Sequence, residues 1–172
     1  EFAGQLHLGD EVGERQQRVV HVHPTRLCNL ACAHCYSESS PAMREALEVE
    51  TLIEALGELR GEGYEIVSIS GGEPLVYKSL PRLISAAAGQ GYRVHLITNG
   101  LLLNESNVSA LAEHALLVGV SLDGAEETHN LVRGRADAFR GAVGAMRLLA
   151  KAKIPFGIIY AVSGQSLADV PW

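Results

Sequence analysis

Cysteine is scarce in this chain: there are three in 172 residues, an odd number, and all fall within one window of eight. A disulfide-stapled secreted module would scatter an even number along its length, so that class is excluded. Positive charge is also in short supply. Fourteen Lys and Arg against 20 Asp and Glu give a net charge of -6, and the basic residues are dispersed. Neither nucleic acid nor an anionic membrane surface is therefore an expected partner. Long apolar runs are missing too. The longest, around Ala115 to Leu122, is far too short to span a bilayer. The opening stretch EFAGQLHLGDEVGERQQR has no basic region leading into an apolar one, so the expected location is the cytoplasm. No repeat of 20 to 50 residues and no low-complexity tract is present. With 47% hydrophobic and 20% charged residues the chain can bury a real core. Its length suits about one domain and falls short of the roughly 250 residues of a complete eight-fold β/α barrel.

One pattern recurs five times: a short β-branched apolar run, a polar loop, then an apolar stripe of helical period. The runs are Val19 to Thr25, Ile66 to Ser70, Arg93 to Thr98, Leu117 to Leu122 and Phe156 to Val162. Each has the composition of a buried parallel strand. Four helical stripes lie between them. The first carries Val49, Leu52, Ile53, Leu56 and Leu59; the second Leu80, Leu83, Ile84 and Ala87, with Pro81 in its opening turn. The third carries Val108, Leu111 and Ala112 behind an Asn104 cap, and the fourth Phe139, Val143, Met146 and Leu149. Strict alternation predicts an α/β fold with a parallel sheet, either doubly wound or part of a β/α barrel. In both, ligands bind at the carboxyl ends of the strands. Those segments read PTRLCNLACAHCY, GGEP, NG and SLDG.

Cys28, Cys32 and Cys35 are spaced C-x3-C-x2-C. Three thiolates in one loop can wrap a single small centre, leaving one tetrahedral position for something other than cysteine. Zinc would complete a structural Cys3His site with His21, His23 or His34. A cubane iron-sulfur cluster would keep its fourth iron open to an outside ligand. Directly after the second strand, Gly71-Gly72-Glu73-Pro74 brings exposed backbone and a carboxylate to a strand end. Alone, this is an ordinary strand-to-helix turn.

Together, the cysteine loop and GGEP make the sequence similar to the radical S-adenosylmethionine (SAM) superfamily, which carries CxxxCxxC after its first strand and GGE after its second. The resemblance covers about Val19 to Val162. It implies an incomplete parallel (β/α) barrel with about five β/α units present. It also implies that Cys28, Cys32 and Cys35 ligate a 4Fe-4S cluster whose open iron takes the amino and carboxylate groups of SAM. An electron from a reductant such as flavodoxin or ferredoxin would then cleave the sulfonium. The resulting 5'-deoxyadenosyl radical would abstract hydrogen from a small-molecule or peptide substrate, or from a tetrapyrrole or redox-cofactor precursor. Glu73 and the Gly72 backbone would hold the methionine ammonium. His34 stands where relatives have an aromatic residue whose main chain faces adenine. By the same resemblance Thr98 would face the substrate or cofactor, and Ser121 and Arg133 would meet the ribose and the methionine carboxylate. The alternative is a zinc-binding Cys3His structural module without catalysis.

Other residues carry plainer expectations. Asn99-Gly100 reads as a turn, Arg133 falls at the start of a helix, and His21 and His23 pack inside the barrel. Residues 1–18, with Asp10, Glu11 and Glu14, form a solvated leader, and 19–172 the core domain. Because relatives have a sixth strand, this domain is expected to be truncated on its C-terminal side, with the fifth strand left as an open edge.

Overall fold

In the computed structural model of the protein, residues 17–170 are described. The expected leader lies outside the described residues up to position 16, and Arg18 already opens the first strand. The strands are β1 (Arg18–Val22), β2 (Tyr64–Ile69), β3 (Arg93–Thr98), β4 (Ala115–Ser121) and β5 (Phe156–Ile159). They form one sheet in the order β1-β2-β3-β4-β5, and every neighbouring pair is parallel. This order separates the two architectures the pattern allowed. A doubly wound sheet reverses direction at a switch point; here the order never reverses, so right-handed crossovers bring the helices to a single face, as in a partial barrel.

The helices are α1 (Val49–Gly61), α2 (Leu80–Gly89), α3 (Glu105–Ala112), α4 (Glu126–Arg133) and α5 (Ala138–Lys151). Pro81 sits in the first turn of α2, where its missing N–H costs nothing. Asn104 caps α3 as expected. Its side chain accepts from the Ser106 and Asn107 N–H groups, and the Asn107 side chain accepts in return from the Asn104 N–H. The helix-facing row of the sheet includes Val22, Val67, Ile69, Val94, Leu96, Val118 and Val120. It packs against Leu56 of α1, Leu83 and Ile84 of α2, Leu111 of α3 and Leu149 of α5. Each such burial contributes about 1.5–3 kcal/mol, so the core lies between sheet and helices.

Several expectations are corrected here. Helix α4 was not among the four stripes: it is eight residues long and mostly polar, and one of its two buried side chains, His129 beside Val132, is not apolar. Arg133 is the last residue of α4, not an opening one, and Gly134 at φ 67 closes the helix behind it. Helix α5 exists where expected, but its deepest face is Ala138, Ala142, Ala145 and Leu149, while Phe139, Val143 and Met146 are half-buried. Small side chains let α5 lie close on the sheet end, where a Cβ on Gly100 would come within 2.9 Å of the Ala145 methyl. Strand β1 stops at Val22, ahead of Pro24, and β5 stops at Ile159 because the Ala161 N–H leaves the ladder for the Asp123 carboxylate. His21 and His23 are exposed, not packed away. Among the described residues β5 is a sheet edge, and Ile158, Ile159 and Val162 beside it are exposed.

Candidate functional site

The loop between β1 and α1 crosses the carboxyl ends of the strands and is sewn to them by its backbone. The Gly72 N–H donates to the Thr25 carbonyl at 2.9 Å and the Glu73 N–H to the Leu27 carbonyl at 3.0 Å. This contact explains the paired glycines. A Cβ on Gly71, which has φ 104, would lie 2.8 Å from the Thr25 oxygen, and one on Gly72 would lie 2.2 Å from the Leu27 oxygen. Further along the loop, Arg26 donates to the Ser37 and Glu38 carbonyls, both at 3.3 Å, and steadies Glu38 at φ 51. The Ala33 N–H reaches the Val132 carbonyl of α4 at 3.0 Å.

Held this way, Cys28, Cys32 and Cys35 line one cavity of 170 Å³. Gly72, Thr98, Ser121 and Arg133 share its wall, as does His34. Each thiol meets its own donor. Cys28 Sγ accepts from the Leu30 N–H at 3.4 Å and lies 3.9 Å from Asn99 Nδ2. Cys32 Sγ faces Arg133 Nη1 at 3.8 Å. Cys35 Sγ accepts from the Ser39 N–H at 3.3 Å and touches the Ser37 hydroxyl at 3.4 Å. Burial pushes the Cys28 thiol up to about 11 and raises Cys32 as well. At Cys35 burial is outweighed by the Ser37 hydroxyl and the Ser39, Ser37 and Glu38 amides, and the thiol falls below its ordinary value.

The donor set suits a cluster better than a single ion. Around one zinc, tetrahedral thiolates with bonds of about 2.3 Å stand about 3.8 Å apart. Among the described residues no three His, Cys, Asp or Glu side chains are gathered tightly enough to hold one metal ion. Of the imidazoles weighed as a fourth zinc ligand, His23 meets the Tyr36 hydroxyl at 3.2 Å and His34 turns Nε2 toward Asp123 at 3.5 Å, its Nδ1 buried without a partner. Three thiols spread around one cavity, each supplied with a hydrogen-bond donor, are what a larger sulfur-rich body gripped at three corners requires.

Glu73 departs from the expectation. Its carboxylate has no exposed surface and does not reach the cavity wall. Oε1 accepts from the Thr98 hydroxyl at 2.7 Å and the Leu75 N–H at 3.1 Å, and Oε2 from the Asn99 N–H at 2.8 Å. Burial raises its pKa against these three donors. Asn99 in turn donates to the Asn29 side chain at 2.8 Å, so Glu73 braces the end of β3 against the cysteine loop. Asn99 is more than a turn residue.

Sequence reasoning also passed over Asp123 as a site residue. This carboxylate, wholly buried after β4, accepts from Arg133 Nε at 2.6 Å and from the Ala161 N–H at 3.0 Å, with His34 Nε2 3.5 Å away. It thereby joins the cysteine loop, α4 and the segment after β5. Arg133 is not solvated, since its side chain is 12% exposed. The Asp123 N–H donates to His129 Nδ1 at 3.0 Å, which makes His129 a neutral ring with its proton on Nε2. Burial, and then the Arg133 charge, bring the His129 pKa down to about 4. The signal available in the sequence was the Ser-Leu-Asp-Gly strand end with a histidine and an arginine six and ten residues after the aspartate.

A singly wound parallel sheet that gathers three thiols and two glycines at its carboxyl end defines a class of cluster-binding partial barrels. The chain belongs to the Radical SAM superfamily, whose family profile matches residues 22–171. It is 35% identical over 149 residues to the Fe-coproporphyrin III synthase of Methanosarcina barkeri, covering 86% of this chain and 37% of that one. It is 30% identical over 146 residues to the sporulation killing factor maturation protein SkfB of Bacillus subtilis, covering 84% and 35%. A solved structure of anSMEcpe with bound AdoMet superimposes with a TM-score of 0.68 at 27% identity, covering 83% of this chain and 42% of that one. The chain thus spans less than half the length of these relatives. No helix among the described residues is long and apolar enough to cross a membrane.

Proposed function

We propose that this chain is the cluster- and SAM-binding core of an enzyme that cleaves SAM reductively and directs the radical to a substrate hydrogen. The observation that carries the reading is the meeting of the Cys28, Cys32 and Cys35 thiols with Gly72, Thr98, Ser121 and Arg133 around one cavity. Cys28, Cys32 and Cys35 would hold a 4Fe-4S cluster, which when bound would supply the one-electron chemistry for cleaving the sulfonium C–S bond. The rest is the work of the chain's own groups. Arg133 offers its guanidinium to the methionine carboxylate, and Ser121 its hydroxyl to the ribose. The main chain at Gly72 receives the ammonium, and that at His34 faces adenine. Glu73 supports both sides from behind the wall through Thr98 and Asn99. The relatives' names point to two substrate classes, a tetrapyrrole-type small molecule and a peptide. The electron comes from a small reductant such as a flavodoxin or ferredoxin. Three free cysteines suit the reducing cytoplasm.

The test is a titration of SAM into the anaerobically reconstituted, dithionite-reduced chain, followed by paramagnetic resonance. The expected result is a saturable change of the cluster signal accompanied by 5'-deoxyadenosine and methionine. A signal indifferent to SAM in a chain with full iron would overturn the proposal.

A further inference from the structure

The concave face of the sheet, opposite the helices, is unlike the usual barrel interior, where branched apolar side chains dominate. Register places His21 beside Ser68, Ser68 beside His95, and His95 beside Leu117, so one row across four strands reads His-Ser-His-Leu. The rows on either side of it turn to the helices, with Val67, Val94 and Leu96 in the core, so this row faces inward. Arg93 precedes His95 by two residues and shares its face. Its Nη2 is buried and has no hydrogen-bond partner. Burial, and then the Arg93 charge, lower the His95 pKa, which places the guanidinium within electrostatic reach of that ring. The described strands carry one acidic residue, Glu65, at the register irregularity that opens β2. In a chain of net charge -6, this row and Arg93 therefore bring together a fixed cation, two imidazoles and a hydroxyl.

A buried guanidinium nitrogen without an acceptor is costly, and polar residues in place of an apolar barrel layer mark a site more often than a flaw. We infer that the concave face carries an anion-binding site in which Arg93, with His95, Ser68 and His21, receives a carboxylate or phosphate group of the substrate. The inference rests on the proposed function only for assigning that anion to the substrate. Ser70 and Ile97, two residues further along β2 and β3, line the cysteine cavity. The row thus lies about 7 Å below it and the Arg93 backbone about 13 Å below it, at a rise of about 3.3 Å per residue. A span of about 7 to 13 Å matches an anionic arm on a molecule whose reacting carbon sits in the cavity. The arm would fix its orientation.

The experiment uses the 172-residue chain labelled with ¹⁵N in its seven histidines. Succinate and inorganic phosphate are titrated separately against chloride at matched ionic strength. Saturable shifts of the His21 and His95 rings, with His114 on the far side of the sheet unmoved, are expected. Whichever anion saturates first identifies the source as carboxylate or phosphate. Arg93→Met, which keeps the apolar stem, weakens binding by about ten-fold or more. His95→Leu, which restores an ordinary barrel residue, weakens it several-fold and decides the matter if Arg93→Met does not fold. Absence of ring shifts with both anions, or unchanged titrations in the folded variants, overturns the inference. Iron loading and SAM cleavage on the same preparations depend on other residues. Their failure with anion binding intact would count against the proposed function alone.

Discussion

His129 is a buried base whose neutral form is built into the site, and acidification should therefore cost stability in a defined window. Its ring is 1% exposed and accepts the Asp123 N–H through Nδ1, an arrangement that protonation destroys. Its pKa stands at about 4 in the folded chain against an ordinary value of 6.5. Between those values the unfolded chain binds a proton that the folded chain refuses, so stability rises with pH there and is fully present above about 6.5. The loss on going down to pH 4 is about 3 kcal/mol, at about 1.4 kcal/mol per unit. Glu73 opposes this: its raised pKa makes the folded chain the better proton binder above the ordinary carboxylate range. Burial lowers the pKa of His34, His23 and His95 as well, so that they add to the His129 trend. The His129 share is isolated by comparison with His129→Asn, which keeps an acceptor near the Nδ1 position and cannot be protonated. Urea unfolding of both proteins from pH 7.5 to pH 4 measures the difference. The wild-type curve should fall more steeply below about 6.5, and the gap between the two should change by about 3 kcal/mol. Parallel curves would show that His129 is not held neutral and that the Asp123 contact is wrong.

Two further outcomes follow from the same network. Asp123→Ala strands the Arg133 guanidinium and the Ala161 amide, and should cost about 3–5 kcal/mol, read as a lower denaturant midpoint at unchanged slope; a loss below about 1 kcal/mol would contradict the buried pair. Glu73→Ala frees Asn99 from its brace against Asn29 and Cys28, so iron retention and SAM affinity should both decline, and normal values of both would show that the Glu73 bonds position nothing.

How far the sequence was readable follows from what each signal encodes. Strand β3 emerged with its observed bounds because Arg93 to Thr98 alternates on a sheet covered on one side only. Alternation puts His21 and His23 on one face but does not say how open that face is, so they were expected to be packed inside the barrel where they stand exposed. Helix α4 was passed over because its eight residues are mostly polar and its buried side is a valine and a histidine rather than an apolar stripe. On α5 the eye follows Phe139 and Met146, whereas close approach to the sheet selects alanine. The cysteines and glycines were legible because their spacing is local and their chemistry restrictive. Glu73 and Asp123 were harder: a carboxylate at a strand end can point to a ligand or to the protein's own amides. Only tertiary contacts, Thr98 and Asn99 in one case and Arg133 and Ala161 in the other, show where these two turn.

The central claim is that the three thiols grip an iron-sulfur cluster, and counting iron and acid-labile sulfide per chain after anaerobic reconstitution tests it most directly. The account predicts about four of each in the wild-type chain and loss of both in Cys32→Ala, because two thiolates do not retain a cubane. Zinc without sulfide in the wild type, or near-normal iron in Cys32→Ala, would contradict it.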